Sequence, residues 1–122
     1  MSNNDGVLKT EVIDGVVVLS FDRGCLREEK QILTTLASLS KHIEERDKPR
    51  IVLDMGNVEY LSSAGLGQLV GLLKRARANN GDFKLCRLQN AIRELFDVMR
   101  LNTIFDLYES VDEARATFPV EA

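Results

Sequence analysis

The chain of 122 residues has no tryptophan, one histidine, two prolines and two cysteines. This leaves few side chains for acid–base or nucleophilic chemistry, so the composition argues against an ordinary enzyme. The cysteines, Cys25 and Cys86, lie far apart and lack the CxxC spacing of metal or redox sites. We therefore expect reduced thiols in a cytoplasmic protein, with no disulfide and no metal site.

Long hydrophobic runs and an excess of basic residues are also missing. No apolar run reaches the roughly 18 residues of a membrane span, and residues 1–6 (MSNNDG) lack the apolar core of a signal peptide. The net charge is −3, whereas nucleic-acid binders usually carry a basic surplus. We expect one domain over residues 1–122, with a flexible tail at 1–6, that neither inserts into membranes nor binds nucleic acid.

What the sequence does contain is an opening hairpin followed by alternating helices and strands. Two runs rich in β-branched residues, 7–13 and 16–21, flank Asp14-Gly15, a strong turn signal. Later strands are predicted at 51–53, 83–88 and 104–108, and Asn90 and Ser110 are predicted helix N-caps. Apolar residues at helical spacing mark three helices: Ile32, Leu36, Leu39 and Ile43; Leu66, Leu69, Val70, Leu73 and Ala76; Ile92, Leu95, Phe96 and Met99.

The predicted order is β-β-α-β-α-β-α-β-α, with a short helix from Ser110 to about Thr117 at the end. A hairpin followed by alternating elements predicts an α/β fold. We expect a mixed sheet of four to five strands, parallel in its later part, with helices mainly on one face. In such folds, functional turns usually lie where strands end and helices begin.

One such turn, between 56 and 67, carries unusual chemistry. Ser62 and Ser63 precede a helix, where serine is a common N-cap. Gly65 and Gly67 fall in the first helical turn, where each costs about 0.8–1 kcal/mol relative to alanine. We interpret these glycines as leaving the backbone bare for a second molecule. A helix start also favours a phosphate, because its N–H groups are unpaired and carry partial positive charge.

The segment 51–67 (IVLDMGNVEYLSSAGLG) resembles the signature of the STAS family, which comprises anti-sigma factor antagonists and the C-terminal domains of sulfate transporters. The similarity continues through 81–88 (GDFKLCRL) and 92–101 (IRELFDVMRL) and covers about Val7 to Phe118. Since the chain shows no membrane span, it is most similar to the stand-alone antagonists, with a STAS-like sheet.

The resemblance implies partner switching without a cofactor or metal. In the family, the unphosphorylated antagonist binds an anti-sigma factor that is itself an ATP-dependent serine kinase, and sigma is released. Phosphorylation of a serine in the motif breaks that complex, and a PP2C-type phosphatase restores it. The first hydroxyl of the motif falls on Ser63, which is the expected phosphorylation site, with Ser62 as the alternative.

The resemblance also implies a partner-binding turn made of Ser62, Ser63, Ala64, Gly65, Leu66 and Gly67; we call it the docking turn. Asp22 and Asp54 are expected supporting acids, although Asp54 can equally be a strand-end residue that bonds the following loop. Two departures stand out. Ser62 occupies a position where the family often has Asp, and 20–25 (SFDRGC) replaces its Gly-x-Leu-Asp loop.

Two other functions remain open. The chain could be a structural STAS subunit whose turn binds a partner without phosphorylation, or an accessory subunit of a membrane lipid transporter.

Other motifs give weaker indications of function. Gly65-Leu66-Gly67 with Gly71 has the wrong spacing for a dinucleotide fingerprint. His42 is interpreted as a surface residue and Cys86 as a core residue. Lys74, Arg75 and Arg77 are interpreted as a solvated face or a contact for an acidic partner.

Overall fold

The computed structural model describes residues 8–21, 36–41, 43 and 47–118. Its strands are β1 (Leu8–Ile13), β2 (Val16–Phe21), β3 (Arg50–Asp54), β4 (Asp82–Cys86) and β5 (Leu107–Tyr108). Its helices are α1 (36–41 and 43), α2 (Ser63–Ala78), α3 (Asn90–Val98) and α4 (Val111–Ala116), with a 3-10 turn at Leu101–Thr103. The predicted α/β order is confirmed. The expected tail at 1–6 lies outside the described residues.

The five strands form one mixed sheet in the order β1-β2-β3-β4-β5. β1 and β2 pair antiparallel through a tight hairpin in which Asp14 and Gly15 both have positive φ, at 53° and 83°. These are the left-handed conformations that a two-residue hairpin favours. The remaining neighbours pair parallel, so the carboxyl ends of β3 and β4 lie at the same edge of the sheet.

The strands divide the core between the two faces of the sheet. In β3, Ile51 and Leu53 join the larger cluster with residues from α1, α2 and α3, whereas Val52 joins a smaller cluster with Ala114 of α4. This alternation follows from the two-residue period of a strand. Three helices therefore cover one face and α4 the other, which confirms the prediction that helices lie mainly on one face.

The predicted boundaries around α3 need correction. Gln89, not Asn90, occupies the N-cap position, and its side chain makes no cap hydrogen bond. Met99, expected on the apolar face, is 50% exposed because α3 ends at Val98 and the chain turns at Arg100 with φ 60°. Ile92 and Phe96 are buried as predicted.

The last two strands are shorter than predicted. β4 ends at Cys86 and not at 88, because Arg87 takes a φ of 60° that is incompatible with a strand. β5 has two residues, because the N–H groups of Ile104 and Phe105 donate to the Leu101 carbonyl of the preceding 3-10 turn and not to a neighbouring strand. There Phe105 turns inward and packs on Phe96, with ring centroids 5.6 Å apart. The predicted Ser110 cap is confirmed: its Oγ accepts from the Glu113 N–H at 3.1 Å.

Candidate functional site

The start of α2 is capped by Ser62. Its backbone is extended (φ −81°, ψ 169°), and its Oγ accepts a hydrogen bond from the Gly65 N–H at 3.1 Å. The Leu66 N–H donates to the Ser62 carbonyl at 2.9 Å. Of the two serines that precede the helix in the sequence, Ser62 is therefore the N-cap. The N–H groups of Gly65 and Leu66 are not unpaired, because both donate to the cap residue.

The docking turn presents only part of its length to solvent. Ser63, Ala64 and Gly67 are exposed, whereas Gly65 and Leu66 are buried. Leu66 is 3% exposed and belongs to the larger core cluster. Its side chain therefore stabilises the fold, as the apolar spacing of this helix predicts, and presents little surface to a partner. The accessible surface consists of Ser63, Ala64 and Gly67.

The two glycines of the turn serve different purposes. A Cβ on Gly65 would lie 2.7 Å from Leu61 Cδ1, so the missing side chain lets the preceding loop pack against the helix. A Cβ on Gly67 would meet no atom within 4 Å. Packing explains why position 65 is a glycine. It does not explain Gly67, since alanine at that position would favour the helix more. Only Gly67 therefore remains consistent with the interpretation that these glycines leave the backbone accessible to a second molecule.

The loop between β3 and α2 is fixed at several points. The Val58 N–H donates to the Met55 carbonyl at 3.0 Å, and Asn57 Nδ2 donates to the Phe21 carbonyl at 2.8 Å. Met55, Val58 and Leu61 are each at most 5% exposed. Because Met55, Val58 and Leu61 are buried and these hydrogen bonds fix the loop internally and to β2, the loop holds the start of α2 in a defined position.

Asp54 organises the beginning of this loop. One carboxylate oxygen accepts from the Gly56 N–H at 2.9 Å, and the other accepts from Arg87 Nη1 at 2.9 Å. Its interpretation as a strand-end residue that bonds the following loop is confirmed. Gln89 Nε2 adds a hydrogen bond of 2.8 Å to the Gly56 carbonyl. The segment after β4 thus stabilises the loop after β3 through these hydrogen bonds.

Sequence reasoning missed two residues of this edge. The guanidinium of Arg87 lies over Gly56, where an added Cβ would come within 2.7 Å of the guanidinium carbon. The position of Arg87 just after β4 was the signal in the sequence that could have placed it at this edge. Tyr60 precedes the cap by two residues, and its side chain is 64% exposed on a loop that buries its other large apolar residues. An exposed aromatic on a rigid loop is a typical anchor for a partner.

Other candidate residues have no chemistry at this edge. Cys86 is fully buried, as predicted. Burial raises the pKa of its thiol to about 12, and the Asp54 carboxylate adds to the shift. The thiol is therefore protonated and unreactive at neutral pH. Lys74, Arg75 and Arg77 are exposed on α2.

Several expectations fall on residues outside the described part of the chain. Asp22 and Cys25 lie there, as does the side chain of His42. Among the described residues, no group of three or more His, Cys, Asp or Glu side chains could hold a metal ion. No helix in the same residues combines the length and apolar character needed to cross a membrane.

Comparison with known proteins agrees with this architecture. The family model of the STAS domain matches residues 8–114. The chain belongs to the STAS family. Among its relatives, BtrV of Bordetella bronchiseptica, named as an anti-sigma factor antagonist, is 34% identical over 82 residues, covering 67% of this chain and 70% of BtrV.

Solved STAS structures share the fold. An anti-sigma factor antagonist domain protein from Planctomyces limnophilus superposes with a TM-score of 0.78 at 21% identity, covering 88% of this chain and 93% of that one. The Bacillus cell fate determinant SpoIIAA in its phosphorylated form gives a TM-score of 0.66 at 20% identity, covering 89% and 96%. These likenesses establish the STAS fold predicted from the sequence.

Proposed function

We propose that this STAS protein is a cytoplasmic anti-sigma factor antagonist that works by partner switching. Its unphosphorylated form binds an anti-sigma factor with serine kinase activity and so frees sigma. Phosphorylation of Ser63 ends the complex, and a PP2C-type phosphatase restores it. The proposal is supported by the relative named as an anti-sigma factor antagonist at 34% identity and by a structural neighbour known in a phosphorylated form.

The observation that carries the proposal is the division of labour between the two serines. Ser62 makes the cap hydrogen bond to Gly65, so the hydroxyl of Ser63 is not required for that purpose. Ser63 is exposed at the first residue of α2. A kinase can therefore reach Ser63 without dismantling the helix start, which makes Ser63 the better acceptor of the two.

Phosphate on Ser63 should be compatible with the folded domain. A phosphoserine carries a charge of about −1.5 to −2, and negative charge is favourable in the first turn of a helix. The first turn of α2 contains no acidic residue that would repel it. The domain should therefore keep its fold when phosphorylated.

The same phosphate should be incompatible with a bound partner. A partner seated on Ser63, Ala64 and Gly67 would bury a dianion without a counter-charge, which is costly. Tyr60, 64% exposed two residues before the cap, extends this surface and would supply an apolar anchor for the partner. The switch thus acts on the interface and not on the fold.

Phosphorylation by the cognate anti-sigma factor, followed by mass spectrometry, tests the proposal. We expect phosphate on Ser63 in the wild-type chain and none on the Ser63→Ala variant, while Ser62→Ala should still be phosphorylated. Phosphate on Ser62 alone would reverse the assignment. Phosphate on neither serine would favour a structural STAS subunit that binds without a switch.

A second arm tests the anchor. Tyr60→Ala should leave stability nearly unchanged because the side chain is exposed, yet weaken binding to the anti-sigma factor by about tenfold or more. Val98→Ala is the matched control, since Val98 is 79% exposed at the end of α3, outside the docking turn. An equal effect of both substitutions would remove Tyr60 from the interface.

A further inference from the structure

The sheet has two edge strands, and they differ in length. β5 has two residues, whereas β1 has six, Leu8–Ile13. Within the described part of the chain, β1 pairs with β2 alone. The outer side of β1 therefore presents a row of backbone N–H and C=O groups that another strand can bond.

β1 lacks the features that usually protect an exposed edge strand. It contains no proline, and its register with β2 continues without a bulge over all six residues. Residues 9–12 are all exposed. Val12 lies opposite Val17, a member of the larger core cluster, yet is 64% exposed. A regular edge strand with an exposed β-branched residue is a typical place for another strand to pair.

The hairpin decides which backbone groups of β1 point outward. In a two-residue hairpin, the residues that flank the turn form a hydrogen-bonded pair, which here is Ile13 with Val16. Hydrogen-bonded and non-hydrogen-bonded pairs then alternate along the two strands. The backbone groups of Ile13 and of every second residue before it therefore bond β2. Those of the remaining residues point away from the sheet: Leu8, Thr10 and Val12.

The sequence of β1 is self-complementary about Thr10. When two copies of the strand pair antiparallel with Thr10 opposite Thr10, Lys9 of each copy lies opposite Glu11 of the other. The two apolar positions of the sequence on either side, Leu8 and Val12, lie opposite each other in the same register. The outward-pointing backbone groups of one copy then face those of the other. Opposite charges and paired threonines directly across two strands are both favourable.

The same two charges disfavour the neighbouring registers. A shift by two residues keeps the backbone groups in step, but it places either Lys9 opposite Lys9 or Glu11 opposite Glu11. Like charges directly across two strands are destabilising. Lys9 already interacts within its own chain, and the pairing requires only that an acid, and not a second lysine, lie opposite it. The charges therefore select the register that is centred on Thr10.

We propose that β1 pairs antiparallel with β1 of a second copy of this chain about a two-fold axis at Thr10, so that the two five-stranded sheets continue into each other. Every contact then occurs twice, as a closed two-fold interface requires. One strand from each copy contributes less area than a standard interface, so the dimer should be weak and should dissociate on dilution. This interaction is additional to the binding of a partner at the docking turn, which follows a different strand, β3.

Amide hydrogen exchange of the full chain at low and high concentration, with sedimentation equilibrium of the same samples, tests the proposal. We expect a reversible dimer in which exchange at Thr10 and Val12 is about tenfold slower than in the monomer. Exchange at Glu11 and Ile13 should change far less, because their N–H groups already bond β2.

Three results of this experiment would overturn the proposal. The first is a chain that stays monomeric at millimolar concentration. The second is a dimer in which the amides of Thr10 and Val12 exchange as fast as in the monomer, since another surface would then form the interface. The third is slow exchange of both amides in the monomer, which would mean that another segment of the same chain covers this edge.

An exchange of charges provides the matched comparison. Glu11→Lys places two lysines opposite each other on both sides of the axis and should weaken dimerisation about tenfold. The double variant Lys9→Glu/Glu11→Lys should restore it, because opposite charges face each other again. Glu94→Lys makes the same change of charge at an exposed position of α3 and should have little effect, and thermal unfolding checks that each variant is folded. Failure of the double variant to restore dimerisation, or an equal loss in Glu94→Lys, would contradict the proposed register.

Discussion

Helix α2 begins in an accessible turn and ends in a closed one. At its start Ser63 and Ala64 are exposed, and a Cβ on Gly67 would meet no atom within 4 Å. At its end the Gly81 N–H donates to the Ala76 carbonyl at 2.8 Å, and Asn79 Nδ2 donates to the Ile43 carbonyl at 3.0 Å. One end is available to other molecules, and the other fastens the helix to its neighbours.

The difference shows where this domain can accommodate a regulatory group. A change at the closed end must displace packed backbone, whereas a change at the open end meets solvent. A switch that adds a charged group is tolerated only where nothing packs. Two glycines make the contrast measurable. Gly67 lies near the start of α2 and Gly81 lies just beyond its end, and they differ in what an added methyl group would meet.

The largest effect is expected at the closed end. Gly81→Ala would place its Cβ 1.9 Å from the Pro49 oxygen and 2.5 Å from the Pro49 nitrogen, so backbone must move. We expect a loss of about 3 kcal/mol in the free energy of unfolding, measured by urea denaturation. A variant as stable as the wild type would show that the backbone at the end of α2 moves at little cost. That result would contradict the contrast between the two ends of the helix.

An intermediate effect is expected at the cap. Ser62→Ala removes the acceptor of the Gly65 N–H and should cost about 1 kcal/mol in the free energy of unfolding. Ser63→Ala is the matched control and should change stability by less than about 0.5 kcal/mol. If Ser63→Ala proved the more damaging substitution, the roles assigned to the two serines would be exchanged.

The smallest effect on stability is expected at the open end. Gly67→Ala should raise the free energy of unfolding by about 0.5–1 kcal/mol, because alanine is the better helix former and the methyl meets no neighbour. The same methyl should weaken binding of the anti-sigma factor, measured by calorimetry. Unchanged affinity would take Gly67 out of the partner surface.

Much of the fold follows from local patterns in the sequence. Asp14-Gly15 predicts the hairpin because few other pairs accept two positive φ angles, and the alternation of elements predicts the parallel part of the sheet. The Ser62 cap could be predicted because serine favours that position. The Asn90 cap could not, because the choice between adjacent polar residues, Gln89 and Asn90, depends on how α3 packs.

The candidate site was less predictable because it depends on contacts between distant segments. Gly65 and Gly67 look alike in the sequence, and only the packing of Leu61 separates them. Arg87 follows β4 directly, which is the one signal in the sequence, but its bond to Asp54 depends on a left-handed backbone that no local pattern indicates.

The central claim is that a negative charge at Ser63 prevents binding of the anti-sigma factor and leaves the fold of the domain unchanged. Calorimetric titration of the cognate anti-sigma factor with Ser63→Asp and Ser63→Ala, alongside their thermal unfolding, tests it most directly. We predict that Ser63→Asp unfolds like the wild type and binds about 100-fold more weakly, while Ser63→Ala binds normally. Wild-type affinity in a folded Ser63→Asp variant would contradict the claim.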